Sequence, residues 1–442
     1  MTQPSTREPS RQESSLRKPS TIGDSASFRS RLAMPAPVFA LVLAVFGLGT
    51  AESVIAGLLP RLSEDLQVSL SDAGLLVSGY ALTVVVGGPL VTLVTSRLPR
   101  RPLLVGLLAV FTAGNLAAAL APGYEALMAA RVASALSHCT LFAISLVTAA
   151  EIAGPEKSGS AVARIIVGVN LSTIVGVPLG LLLAQQWGWR AAFWGVVLLS
   201  LVALVAVAVL VPRSRTPVRG DVGAELRVLR DRRVQVALLL TVVAMTGGFA
   251  AFTFLTPVLE QVSGFGPRSV TLLLFLFGLG SLAGGMLGGR LADRALMGSL
   301  TAFLGLLTLV LLAFAAFAAL PVAAVAVLVA FSVLFFALNP GLGARILNSA
   351  GDRAPTIAVS VSIAAVQASI ALGAWLGGRV LDAGFGLTAV FAAGAVLTFA
   401  AGVIAWFEWR AGLRPAAPSG SASSPDVPAA HSGRDAVLPT DS

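Results

Sequence analysis

The stretch VFALVLAVFGLGTAESVIAGLL, Val38 to Leu59, is apolar enough to cross a bilayer as a helix and carries a single acid, Glu52. About twenty such residues span the hydrocarbon core. Of the 21 acidic residues in the chain, Glu52 alone lies deep inside a run of this kind; the others sit in tails, loops or span ends. A charged side chain at that depth costs about 2.5–3.5 kcal/mol on insertion scales. It therefore marks a proton or ion pathway, or the partner of a buried cation.

The rest of the chain repeats the pattern. It is 56% hydrophobic and 12% charged, with a mean hydropathy of +0.88, which ordinary soluble domains do not approach. Twelve apolar runs are long enough to span: 37–59, 71–95, 102–121, 124–150, 161–185, 190–211, 234–259, 269–289, 299–319, 322–346, 356–379 and 387–407. The fold class is all-α integral membrane, with twelve transmembrane helices in two pseudo-symmetric six-helix bundles. The bundles cover 34–211 and 234–410 and are joined by a cytoplasmic central loop at 212–233. A short interfacial helix is expected from AELRVLRDRR within that loop. Residues 1–33 and 411–442 read as disordered cytoplasmic tails, since they are polar and rich in Ser, Pro or Ala. The first tail lacks the apolar core of a signal peptide, and Met34, directly before the first span, is an alternative start.

The net charge of +9 reflects topology. With the amino terminus inside, only Arg61, Arg190, Arg268 and Arg379 fall outside and Arg131 within a span; every other Lys and Arg is cytoplasmic. That asymmetry is the positive-inside rule, and it places the protein in the cytoplasmic membrane with both termini cytoplasmic. The cluster Arg227, Arg230, Arg232 and Arg233 is accounted for by anionic lipid. The one cysteine, Cys139, precludes an intrachain disulfide and reads as packing.

The two halves echo one another. Span one ends AGLLP at Pro60 and span seven FLTP at Pro257; TSRLPRR at 95–101 and GGRLADR at 288–294 lead into corresponding loops. Repeated halves around a central site suit a transporter, because rocking one against the other alternates access. Glycines cluster on span eight (Gly278, Gly280, Gly284, Gly285, Gly288, Gly289) and span eleven (Gly373, Gly377, Gly378). Their spacings allow close helix approach, as static packing or as faces that slide.

Glu52 lies eight residues before Pro60, about 12 Å below the outer end of span one. Arg131 lies seven residues into the antiparallel span four, about 10 Å deep. The acid and the Arg thus share a level. His138 follows two turns along the same face, with Ser134 between. Two readings compete: a permanent Glu52–Arg131 pair with His138 as a neutral hydrogen-bonded group, or a Glu52 that exchanges a proton. In the second, burial favours the neutral acid and nearby Arg131 the carboxylate, so a motion that alters their distance alters protonation. His138 would then be a relay and Arg131 a modulator.

Span five supplies GVNLSTIVGVPLG, where Gly176, Pro178 and Gly180 predict a kink or close contact and Asn170 adds a polar group. The second half is polar but uncharged within its spans. Asn339 beside Pro340, Ser360, Ser362, Gln367, Thr253 and Thr256 stand near Phe249, Phe252, Phe254, Phe335, Phe336 and Trp375. From these, the substrate cavity is assigned to Phe249, Phe252, Thr253, Thr256, Phe335, Asn339, Ser362, Gln367 and Asn170. Aromatic walls with a few neutral hydrogen-bonding groups suit a largely apolar organic molecule. No GxxxxGK[ST] and no Cys/His cluster occurs, and His431 lies in the second tail, so energy must come from a gradient.

These motifs resemble the major facilitator superfamily, and within it the twelve-span drug:proton antiporters. TLVTSRLPRR (92–101) looks like the family's first loop signature, with Ser96 where Asp is usual and Thr92 where Gly is usual; Arg97, Arg100 and Arg101 match. The second copy keeps Gly289, Asp293 and Arg294. Arg131 resembles the family's span-four arginine. Gly168, Gly176, Pro178 and Gly180 resemble the span-five antiporter motif, with Val177 interrupting its Gly-Pro pair. LGTAESVIAGLLP, RVASALSH, WGWRAAFW and LGAWLGG are similar to the arabinose-efflux and chloramphenicol-resistance exporters. The resemblance implies conformational gating by Arg97, Arg100, Arg101, Gly176, Pro178, Gly180, Gly289, Asp293 and Arg294, and export of a small molecule for inward protons. The expected partners are a small-molecule substrate, protons and the lipid bilayer, with no nucleic acid, metal or cofactor and no enzymatic activity, in a monomer. A sugar or metabolite exporter, a passive facilitator and a transport-inactive sensor or scaffold stand as alternatives.

Overall fold

The computed structural model describes residues 35–95, 97–213, 230–350 and 355–412, and these are helical almost throughout. Residues 1–34, Ser96, 214–229 of the central loop, 351–354 and 413–442 lie outside the described residues, as does the side chain of Ser360. The helices are α1 (Ala36–Leu66), α2 (Leu70–Thr95), α3 (Arg100–Ala119), α4 (Tyr124–Ala153), α5 (Ser158–Trp187), α6 (Trp189–Leu210) and α7 (Arg232–Gln261). One continuous helix, Pro267–Phe317, is too long for a single crossing and breaks at Ala295 (φ −156°, ψ 78°). Its two arms are α8 (267–294) and α9 (296–317). After them come α10 (Pro321–Ala350), α11 (Pro355–Asp382) and α12 (Leu387–Gly412). With the two arms of the long helix counted separately, the described residues supply twelve spans, each near its expected place. Of the anticipated interfacial helix, the described Arg232 and Arg233 belong to the first turn of α7.

Local chemistry sets the boundaries. Ser69 and Asp72 form a reciprocal capping box at the start of α2: Ser69 Oγ donates to Asp72 Oδ2 at 2.7 Å and accepts from Asp72 N at 3.0 Å. The Asp231 side chain caps α7 by accepting from Arg233 N at 2.8 Å. Gly188 at φ +80° turns the chain between α5 and α6, a conformation that a Cβ would strain. Along α6, Leu198, Leu201, Val202, Val205 and Val209 are exposed as one stripe over most of its length, a surface that only lipid tails satisfy.

The halves meet mainly at the Arg-poor end of the bundle, the end of Arg61, Arg190, Arg268 and Arg379. There α2 packs on α11, with Ser71 against Gly378 and Ser78 Oγ donating to Ala371 O at 2.9 Å. Phe254 of α7 fills the space beside Gly74 of α2. Gln185 at the end of α5 donates to Pro267 O at 2.7 Å and Thr271 Oγ1 at 2.8 Å on α8. Farther along, α2 exposes Leu82, Val86, Leu90, Leu93 and Val94, so the halves diverge towards the Arg-rich end.

Span five accommodates its proline with a wide turn. Pro178 has no N–H to give, and Val177 N donates to Ser172 O, five residues back, forming a π turn over Ser172–Gly176. Gly168, Gly176 and Gly180 seat α5 on Val42, Thr50 and Val54 of α1, while the turn presents Thr173 and Ile174 to Gly278 of α8. The glycines therefore divide into those packing within a half and those, such as Gly278 and Gly378, packing between halves. Gly285 and Gly289 face open space, so close packing does not account for those two.

Candidate functional site

Exposure along α1 leads to the site. Phe39, Val42, Leu43 and Phe46 on α1 are partly exposed from the Arg-rich end inward, as are Glu52 and Ser53, whereas Val54 to Leu59 are buried. A lipid-facing stripe would run the whole length of the helix, as on α6; this one stops halfway. The second half repeats it: Leu238, Leu239, Val242, Val243, Phe249 and Phe252 are accessible, and Thr253 to Leu259 are buried. Matching Pro60 with Pro257 sets Phe249 opposite Glu52. The two stripes describe a cleft between the halves, open at the Arg-rich end and closed beyond Glu52.

Glu52 keeps 19% of its side-chain surface, and its Oε2 lies 4.0 Å from His138 Nε2. His138 Nδ1 pairs with the Tyr80 hydroxyl at 2.8 Å. Arg131, 1% exposed, donates from Nη1 to Ala51 O at 2.7 Å and lies over the Tyr80 ring at 4.0 Å from its centroid. Of the two readings offered by the sequence, the direct Glu52–Arg131 pair is not formed in this conformation: within salt-bridge distance, the partner of Glu52 is His138. The reason is geometric, since the Ala51 carbonyl and the Tyr80 face hold the guanidinium. Arg131 Nε and Nη2 and Glu52 Oε1 are buried with no hydrogen-bond partner, which leaves the cluster electrostatically under-satisfied. Ser134 is buried on the same face of α4, its hydroxyl donating to Arg131 O at 2.9 Å.

Tyr80 is the residue that sequence reading missed. The chain has two tyrosines, and one inside a span, where a phenol needs a partner, was the available signal. At the Arg-poor end a second unforeseen group forms. Asp65 accepts from Trp189 Nε1 at 2.6 Å and Arg190 Nη1 at 3.1 Å, which gives part of WGWRAAFW a structural task.

The other assignments divide. Phe249, Phe252, Asn339, Ser362 and Asn170 retain accessible surface. Phe335, Thr253 and Thr256 do not line the cleft in this conformation, a correction to the expected cavity. Phe335 is enclosed by Phe249 (5.0 Å between centroids), Phe331 and Phe336, and the two threonines are buried in protein. Gln367 is 4% exposed, with Oε1 unpartnered. Arg100 pairs with Glu151 and Arg101 donates to Ala208 O, both within the first half. Arg97, Asp293 and Arg294 are exposed at the Arg-rich end. Among the described residues, no group of three His, Cys, Asp or Glu is placed to hold a metal.

The family model described as Major Facilitator Superfamily matches residues 41–363. The inner membrane transport protein YdhP of Escherichia coli (strain K12) is 37% identical over 361 residues, 82% of this chain and 92% of that protein. The chloramphenicol resistance protein of Streptomyces lividans is 36% identical over 329 residues, 74% of this chain and 84% of that one. Among solved structures, a bacterial homolog of the human lysosomal transporter Spinster, in an inward-facing and unoccupied conformation, aligns with a TM-score of 0.63 at 15% identity. It covers 86% of this chain and 98% of its own, and that likeness speaks to the fold.

Proposed function

This chain belongs to the major facilitator superfamily and is a multi-pass membrane transporter, and we propose that it exports a small, largely apolar organic compound in exchange for protons. The observation that carries the reading is the position of Glu52. It is the one deep carboxylate, it stands where the accessible stripe of α1 ends, and it faces His138 across 4.0 Å. A structural pair would be sealed from solvent; a proton carrier needs access from one side at a time.

The positive-inside rule puts the Arg-rich end and both termini in the cytoplasm, so the cleft opens inward here. In that state Glu52 releases its proton to the cytoplasm and cargo enters between α1 and α7. Closing the Arg-rich end and opening the Ser71–Gly378 and Gln185–Pro267 contacts exposes Glu52 outward, where it is reprotonated as cargo leaves. Arg131 is the fixed positive charge that keeps the empty carboxylate tolerable. Phe249 and Phe252 offer aromatic contact, and Asn170, Asn339 and Ser362 offer neutral hydrogen bonds, a lining suited to an uncharged organic molecule. The relative named for chloramphenicol resistance makes phenicols the first compounds to test.

The test is a growth-inhibition panel, phenicols included, in cells expressing the chain with and without an uncoupler. Resistance that disappears when the proton gradient collapses supports the reading. Resistance that survives the uncoupler contradicts proton coupling, and no protection across the panel contradicts the substrate class.

A further inference from the structure

We propose that Tyr80 is a positioning residue for Glu52, acting through the tautomer of His138; this deepens the proton-exchange reading and rests on it. Tyr80 is 1% exposed, its hydroxyl is 2.8 Å from His138 Nδ1, and no other side chain or carbonyl is within hydrogen-bond reach of that hydroxyl among the described residues. The Arg131 guanidinium over the ring, 4.0 Å from its centroid, draws electron density from the phenol and makes it the better donor. Tyr80 therefore donates to Nδ1, and the neutral imidazole carries its proton on Nε2. Nε2 is the nitrogen that faces Glu52, 4.0 Å away.

The consequence is directional. At 4.0 Å the N–H does not hydrogen-bond the carboxyl group in this conformation, but its positive end faces Oε2 and acts on it as a nearby dipole. Tyr80 thus sets which face of the imidazole is turned towards Glu52 without touching the carboxyl group. The groups facing Glu52 are few: Arg131 and His138 from α4 and Tyr80 from α2. From α5, α6 and α7, which also pack on α1, no charged side chain comes within salt-bridge distance of it among the described residues. α5 meets that part of α1 with Ser172, Gly176 and Gly180.

The test reads Glu52 directly and needs no cargo. The full-length protein in lipid nanodiscs is titrated by infrared spectroscopy, following the carbonyl stretch of a protonated carboxylic acid, assigned to Glu52 by its loss in Glu52→Gln. Without the phenol nothing holds the imidazole proton on Nε2, so Tyr80→Phe is expected to weaken that dipole at Glu52 and move the midpoint to higher pH, to a several-fold lower proton concentration. His138→Gln keeps an amide N–H where Nε2–H was and is expected to titrate like the natural protein. His138→Asn loses that donor and is expected to move with Tyr80→Phe. In the His138→Gln background, Tyr80→Phe should add nothing, because its effect passes through the imidazole.

A Tyr80→Phe midpoint equal to that of the natural protein overturns the proposal, as does an equal shift in the His138→Gln background, which would mean that Tyr80 acts through Arg131. If Tyr80→Phe does not accumulate in membranes, the two His138 variants decide: a shift in Gln and none in Asn also overturns it. A band that never titrates sinks the proton-carrier reading itself, a result distinct from either of these.

Discussion

Replacing Gln185 by Ala should loosen the closure of the Arg-poor end by a calculable amount. Gln185 supplies two hydrogen bonds between the halves, to Pro267 O at 2.7 Å and Thr271 Oγ1 at 2.8 Å. The first is solvent-exposed and the second partly buried, so each contributes at the lower end of the usual range, and together about 1–2 kcal/mol. The population open at that end should rise about 5–30-fold. Ser71 reports on it, because it is 7% exposed and seated on Gly378 across the interface. Cys139→Ala removes the only cysteine, and Ser71→Cys then installs a near-isosteric thiol that is reachable only when the end opens. With opening fast relative to labelling, the maleimide labelling rate of purified protein follows the open population. Gln185→Ala should raise that rate 5–30-fold at unchanged melting temperature. An unchanged rate would refute the view that this contact holds the halves together.

Other substitutions probe different layers. Gly278→Leu sets a side chain against Ile174 Cα, 2.5 Å from where a Cβ would stand; it should disfavour the same closure by about 1–3 kcal/mol, read as faster Ser71→Cys labelling. Arg345→Ala strands the half-buried Glu408, which Arg345 holds at 3.0 Å, and should lower the apparent Tm by about 2–4 °C. Replacing both partners by apolar residues should recover most of that loss. Trp189→Phe removes the 2.6 Å bond to Asp65 and should cost about 1 kcal/mol in denaturant unfolding, with transport per folded molecule unchanged.

The fold was largely legible because a bilayer leaves the chain few choices: backbone polar groups must be satisfied within each span. Twelve apolar runs and the asymmetry of Lys and Arg therefore sufficed for span count and topology. The charged stretch Arg290–Arg294 did separate spans eight and nine, but it did not show that the chain would stay helical through it and turn only at Ala295, since 286–300 carries no Pro to end the helix. In the site, depth arithmetic brought Glu52, Arg131 and His138 to one region. It left the partner of Glu52 open, because level alone does not tell which way a guanidinium turns; the Ala51 carbonyl and the Tyr80 ring decide that, and a backbone acceptor carries no sequence signature. Phe335 was misplaced for a related reason. An aromatic in a span reads the same whether it faces a cleft or, as here, is packed among other phenylalanines.

The central claim is that Glu52 couples cargo to protons, and one measurement tests it most directly. Purified protein is reconstituted into liposomes with an imposed proton gradient, and uphill movement of the panel compound that it protects against is compared with that of Glu52→Gln. Gradient-driven accumulation should be lost in Glu52→Gln while downhill exchange of the same compound persists. Full retention of uphill transport by Glu52→Gln would contradict the account and leave Glu52 as a structural neighbour of His138.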